Sequence, residues 1–354
     1  MTSTPRRNVR RFTLVFILAF TSAFVALSTL ERNDSIVPLA PYKVFVSSQD
    51  KRGLSTSTTP TEEALRPFNH EVPFQKSATF LIGIFSSNSG KYSDRRSYIR
   101  DTYLSSEDPR ICKLSEYMRQ VEESPSYVQC IVPYTFVVGA GGKDRPTDHD
   151  DDEPLTLETD QDGNMDPNGD ITYLNIRENM ENGKSPTWFK YAANVAKASG
   201  IDYIGKLDDD SVLSPELLFN FIAHELPPQP ANARIYGGPI WATYAKSVVY
   251  AAGQFYFMSS DLADYVANQL TATDRLEMQL NRHTEDADMG TFVFSHPRPV
   301  KFLNLSNYRI WIHPMKKEKP FRDTWDNIYD LPHAARRGLP IDYLCQEWLK
   351  GGGV

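Results

Sequence analysis

The stretch Ile201-Asp202-Tyr203-Ile204-Gly205-Lys206-Leu207 runs straight into three aspartates, Asp208, Asp209 and Asp210. A short apolar run of this kind is a buried strand. Ser214-Pro215-Glu216, just beyond, carries the signal of a helix start. Three adjacent carboxylates repel one another, so a strand end that bears them needs full solvation or a counter-charge.

The same alternation recurs upstream. Ala78 to Phe85 is an apolar run closed by the turn-forming Ser86-Ser87-Asn88-Ser89-Gly90. Ile131–Val138 and Ile171–Ile176 read as further buried strands, and Asp94–Tyr103 reads as a helix. Ser185-Pro186 predicts an N-cap with proline in the first turn. Trp188, Ala192, Val195 and Ser199 follow at helical spacing, and Gly200 stops the helix. Strands alternating with helices predict an α/β domain with a mixed, largely parallel sheet flanked by helices. Ligands of such sheets bind beyond the carboxyl ends of the strands, where the triplet sits.

The 354 residues are enough for one large domain or two modest ones. Phe12–Leu30 has no charged side chain, and a helix of roughly 19 residues crosses a bilayer core. Arg6, Arg7, Arg10 and Arg11 precede it, which predicts residues 1–11 as a cytosolic tail and 12–30 as a signal-anchor. A cleaved signal peptide is the competing reading, although its apolar region is usually shorter. Residues 31–76, rich in Ser, Thr and Pro, read as a stem, and 77–354 as the folded luminal domain. Net charge is −7, and no basic face suggests nucleic acid as a partner.

Cys112 and Cys130 are candidates to close one loop, leaving Cys345 unpaired. Asn33 and Asn304 each begin an N-glycosylation sequon. The segment of about 143–169 is strongly acidic. Within it, Asp160-Gln161-Asp162-Gly163-Asn164 suggests a calcium loop, but an EF-hand register from Asp160 puts Met165 at the glycine position and Ile171 at the glutamate position. A solvated insertion is the expectation.

Two acidic groups are candidates for chemistry. A divalent ion carrying a diphosphate would supply the counter-charge that Asp208–Asp210 lacks. Thr284-Glu285-Asp286-Ala287-Asp288-Met289-Gly290 opens a predicted helix, Asp286–Phe294. Its acids either favour the positive end of the helix dipole or supply a general base.

Five segments in order resemble the β-1,3-glycosyltransferases of glycosyltransferase family 31. Asp94-Arg95-Arg96-Ser97-Tyr98-Ile99-Arg100-Asp101-Thr102-Tyr103 is similar to that family's Arg-Arg-x-x-Ile-Arg-x-Thr-Trp, with Tyr103 in place of Trp. Asn168-Gly169-Asp170-Ile171 resembles Tyr-Gly-Asp-Ile, and Asn182 precedes Asp208 at the family's spacing. Ala252 to Leu262 resembles the glycine-rich Gly-Tyr-Val-Leu-Ser-x-Asp-Leu, although Gln254 and Phe255 replace two glycines. Glu285-Asp286-Ala287-Asp288-Met289-Gly290 is similar to Glu-Asp-Val-x-x-Gly. The family's lysine falls on Pro186, with Lys184 close by. The pattern is that of a divergent, fungal-type member.

The resemblance implies a GT-A fold, a UDP-sugar donor, Mn²⁺ and inversion at the anomeric carbon. Carried over by position, Asp208 and Asp210 would meet ribose and metal, with Asp210 the more direct ligand. His313 completes the metal site, with His296 as the alternative. Asp209 and Lys184 fall to the nucleotide sugar. Asp286 would be the base that activates an acceptor hydroxyl. Arg96 and Arg100 are candidates for uridine or phosphate, or for ion pairs on their own helix face. The donor implied is galactose, with N-acetylglucosamine as the alternative, the acceptor a glycan, and the compartment the Golgi membrane. A non-catalytic glycan-binding protein on the same fold is the reading from another class.

Overall fold

The computed structural model describes residues 76–328, apart from 106, 125–126, 143, 146–153, 180, 182, 244–247, 280–283, 307 and 309. The expected cytosolic tail, the expected anchor at 12–30, nearly all of the expected stem, Asn33, Asn182 and Cys345 lie outside the described residues. Among those described, no helix is long and apolar enough to cross a membrane.

Thirteen strands and eight α-helices follow one another in the described residues. The first half runs β1 (Phe80–Phe85), α1 (Gly90–Arg100), β2 (Ile111–Lys113), α2 (Leu114–Glu123), β3 (Val132–Gly141), β4 (Thr156–Leu157), β5 (Ile171–Arg177) and α3 (Lys184–Ser199). Then come β6 (Tyr203–Asp208), β7 (Val212–Leu213), α4 (Pro215–Glu225), β8 (Ile235–Gly238), β9 (Ile240–Thr243), β10 (Val248–Ala251) and β11 (Phe255–Ser259). The last stretch is α5 (Ser260–Asp264), a π-helical turn (Tyr265–Gln269), α6 (Ala272–Met278), α7 (Glu285–Phe294), β12 (Lys301–Asn304), β13 (Trp311–Ile312) and α8 (Glu318–Asp326).

The fold is mixed α/β. The main sheet has the order β12-β8-β11-β6-β1-β3-β5-β4, with β2 paired to β3. Its pairs are parallel except where β11 lies against β6 and β8, and β4 against β5. β1 and β3 are buried along their whole length, because apolar side chains cover both faces. One face packs Phe80, Ile82, Leu207, Phe255 and Phe257 against Leu218, Phe221 and Ile222 of α4. The other packs Leu81, Phe85, Tyr256 and Met258 against Trp188, Phe189 and Ala192 of α3. The disulfide Cys112–Cys130, with Cα atoms 5.9 Å apart, ties β2 to the entry of β3.

Two local expectations change. Gly183, at φ 77°, precedes α3 as its cap, and Ser185 lies inside the first turn without capping. Its hydroxyl instead donates to Glu285, a hundred residues away in sequence. Gly200 does close the helix, at φ 75°. The described part of the acidic segment is not a bare loop: β4 pairs with β5, and Thr159 bridges Met165 across a turn. Inside that turn Asp160 Oδ1 accepts the backbone N–H groups of Asp162 (2.9 Å) and Asn164 (2.8 Å). The acidic run 146–153 lies outside the described residues.

Candidate functional site

β1 and β6 are parallel neighbours, so their carboxyl ends emerge side by side, with Phe85 paired to Asp208. Antiparallel β11 starts where β6 ends, with Phe255 opposite Leu207 and Tyr256 opposite Lys206. Residues 252–254 are thereby brought against the triplet. Asp208 N–H donates to the Gln254 carbonyl at 3.2 Å, and Asp209 N–H to the Phe85 carbonyl at 3.2 Å. The short pair β7–β13 aligns Ile312 with Val212, which carries His313 back across to the aspartates. α7 is held by β10: a Cβ on Gly290 would lie 2.5 Å from Tyr250 Cβ, so the hairpin can sit this close only over a glycine.

The three aspartates have different surroundings. One oxygen each from Asp208 and Asp210 and one nitrogen from His313 lie within 4.8 Å of one another. His313 Nε2 is 3.1 Å from Asp210 Oδ1. Burial pulls the Asp210 carboxyl up, but His313 and Arg95 outweigh it and hold its pKa below the usual value. Asp209 turns the other way and meets Arg95 at 2.7 Å. Burial dominates there and pushes the Asp209 carboxyl up to about 6 despite the guanidinium.

Two carboxylate oxygens and an imidazole nitrogen, gathered on one side of a sheet end, fit a divalent ion such as Mn²⁺. Such an ion would also relieve the repulsion between Asp208 and Asp210. His296 is not part of this group. Its ring packs edge-on against Tyr265 at 4.5 Å, and its Nδ1 meets the backbone of Arg298.

The second acidic group faces the first. Glu285 Oε1 accepts from Tyr256 Oη at 2.6 Å and from Ser185, and its Oε2 meets Lys206 Nζ at 3.1 Å. Asp286 Oδ2 accepts the N–H of Gly253 at 2.9 Å. Burial raises the Asp286 pKa, and the neighbouring Glu285 adds to the rise. A side chain at Gly253 would crowd Lys206 Nζ at 3.2 Å and come into ordinary contact with the carboxylates of Glu285 and Asp286 at 3.4 Å.

The other expected nucleotide contacts already have protein partners. Lys184, 1% exposed, binds Glu178 at 2.7 Å and the Ser86 carbonyl at 2.6 Å. Its burial lowers its pKa, and Glu178 pulls it back toward the charged form. Arg96 donates to Ser86 Oγ and to the Ser87 carbonyl at the turn after β1. Arg100 forms a bidentate pair with Asp170, both contacts 2.8 Å. These pairs join separate elements, unlike the within-helix pairs that the sequence spacing offered. Asn304 folds into a turn in which its Oδ1 accepts from Ser306.

Two residues at the site had no role in the sequence reading. Arg95 is the α1 arginine that reaches the triplet. Lys206 stands between the two acidic groups, and its signal was available: residues two apart on a strand share a face, so it must lie beside Asp208. The replaced glycines are accommodated. Phe255 turns into the core against Trp311 at 4.8 Å, and Gln254 serves the triplet through its carbonyl.

No protein-family model matches the sequence, and no curated protein does. Among the solved structures that are similar, two are matched over nearly all of their own length. One is a glycosyltransferase involved in the glycosylation of the major capsid of PBCV-1, at 10% identity over 72% of this chain and 100% of that one, with a TM-score of 0.32. The other is a putative glucose-1-phosphate thymidylyltransferase from Bacillus anthracis in complex with a sucrose, at 11% identity over 75% of this chain and 99% of that one, with a TM-score of 0.30. At these TM-scores neither overlay bears on the site.

Proposed function

We propose that the chain is a metal-dependent, inverting glycosyltransferase of GT-A type, a divergent relative of glycosyltransferase family 31. It moves a sugar from a UDP-sugar to a glycan hydroxyl. The observation that carries the reading is the convergence of Asp208, Asp210 and His313 within 4.8 Å at the end of β6. Asp286 is held across Gly253 from the same strand end.

Mn²⁺ bound to Asp208, Asp210 and His313 would offset charge on the departing diphosphate. Asp286 accepts the proton as the acceptor O–H bond breaks. The acceptor oxygen then bonds to the sugar C1 from the face opposite the breaking C1–O bond to UDP. A carboxyl whose pKa is raised by burial is a stronger base than a solvated one, which suits that step. The hydrogen bond from Gly253 fixes Asp286 Oδ2, leaving Oδ1 beside its own helix start.

Galactose in β-1,3 linkage is the donor and product we infer, with N-acetylglucosamine the alternative. The apolar run 12–30 after four arginines supports a type II anchor, and the resemblance to family 31 implies the Golgi membrane. The test is a donor screen on the full-length protein, reading UDP release with Mn²⁺ and with a chelator. Chelator-sensitive release from one UDP-sugar is expected. Binding of UDP without turnover of any donor over a broad acceptor panel would replace the enzyme with a glycan-binding protein.

A further inference from the structure

Lys206 is 3% exposed and sits in the middle of β6. An ammonium has three N–H donors; two of them have acceptors here, and Asp208 Oδ1, which has no hydrogen-bond partner among the described residues, lies within ion-pair distance. Gly253 O lies at 2.7 Å, Glu285 Oε2 at 3.1 Å and Asp208 Oδ1 at 3.1 Å. The rings of Phe85 and Tyr256, 5.1 and 5.5 Å away, complete its surroundings. Gly253 in turn donates its N–H to Asp286 Oδ2 at 2.9 Å.

The connection therefore runs Asp208, Lys206, Gly253, Asp286. We propose that Lys206 is a positioning residue that couples the metal-binding carboxylate to the base: it pins Gly253, and hence Asp286, while competing with a divalent ion for Asp208. This inference rests on the transferase reading of the same site. It has a consequence that a purely structural lysine lacks. Removing the ammonium frees Asp208 for the ion but loosens the residue that holds the base. Metal affinity and turnover must therefore move in opposite directions.

The experiment uses full-length protein carrying Lys206→Met, with Mn²⁺ binding measured by calorimetry without nucleotide, and with kcat and donor KM measured separately. We expect Mn²⁺ to bind about tenfold tighter. We expect kcat to fall about a hundredfold, while donor KM stays within about threefold of wild type. Because Lys206→Met leaves Glu285 uncompensated, Lys206→Met/Glu285→Gln is measured beside it and should show the same opposed shifts. Affinity that is unchanged or weaker, or an unchanged kcat, overturns the coupling. Wild-type protein that binds no Mn²⁺ overturns instead the metal reading of the site, so the two failures are distinct.

Discussion

Two acidic segments of this molecule are made of the same residues and treated in opposite ways. Between β4 and β5 the aspartates serve their own backbone. Asp160 accepts N–H groups from Asp162 and Asn164, and Asp166 accepts the N–H groups of Asp170 and Ile171. At the end of β6 the aspartates face side chains: Arg95 for Asp209, Lys206 on the same strand for Asp208, and His313 for Asp210. A carboxylate satisfied by adjacent amides is a turn-former, whatever the local charge density. One whose partners are side chains, some brought in from other elements, is part of a site. Position in the fold, not acid content, separates the two.

The sharpest way to break that contrast is to remove a member of the second group. Asp210→Ala should reduce Mn²⁺-dependent UDP release by about a thousandfold or more, and should abolish the rise in melting temperature on adding Mn²⁺. Asp286→Asn should lower kcat by about a hundredfold or more yet leave that Mn²⁺-induced rise intact. Turnover surviving Asp286→Asn removes the base assignment. Loss of the Mn²⁺ response in the same variant would make Asp286 part of the metal site instead.

Much of the architecture was legible because it rests on local signals. Buried parallel strands are near-continuous apolar runs, so β1, β3, β5 and β6 could be located within a few residues. The start of α3 was misread because the Ser185 hydroxyl answers to Glu285, a tertiary partner that no local rule contains. The arginines of α1 show the same limit. Arg95, Arg96 and Arg100 share one helix and one chemistry, and only the tertiary structure assigns them to Asp209, Ser86 and Asp170. Lys206 is the opposite case, since strand alternation alone put it beside Asp208.

Asp170 borders both groups: its backbone N–H is held by Asp166, while its side chain joins the long-range kind through Arg100. That carboxylate is 1% exposed. Asp170→Asn leaves the guanidinium without its anion and should destabilise the fold by about 3 kcal/mol, read from denaturant midpoints at constant m. An effect near zero would mean the pair is as weak as an exposed one.

Glu225 sharpens the comparison from outside, because among the described residues neither kind of partner is found for its Oε2. Its Oε2 is buried with no hydrogen bond among the described residues, and burial alone pushes its carboxyl from 4.5 up to about 7. The folded state therefore favours the protonated form. Its stabilising contribution is fully present below pH 4.5 and is lost as pH rises through about 7. Glu225→Gln should match wild type near pH 4 and exceed it by about 2 kcal/mol at pH 8. A stability difference that does not change with pH would mean that Glu225 ionises normally.

The smallest expected effect tests the first segment on its own terms. The slight burial of Asp160 raises its pKa, but the N–H groups of Asn164 and Asp162 outweigh that and hold it below the usual value. Because its folded pKa is depressed, its contribution is present at neutral pH and lost as pH falls through that pKa. The gain is small, since exposed amides that lose the carboxylate turn to water. Asp160→Ala should therefore cost at most about 1 kcal/mol at pH 7, and less in acid, with kcat and the Mn²⁺-induced melting shift unchanged. Had the segment been a cation loop, the same variant would weaken a Ca²⁺-dependent stabilisation that wild type displays. A wild-type melting temperature indifferent to Ca²⁺, together with a small acid-sensitive loss in Asp160→Ala, is the signature of carboxylates committed to their own turn.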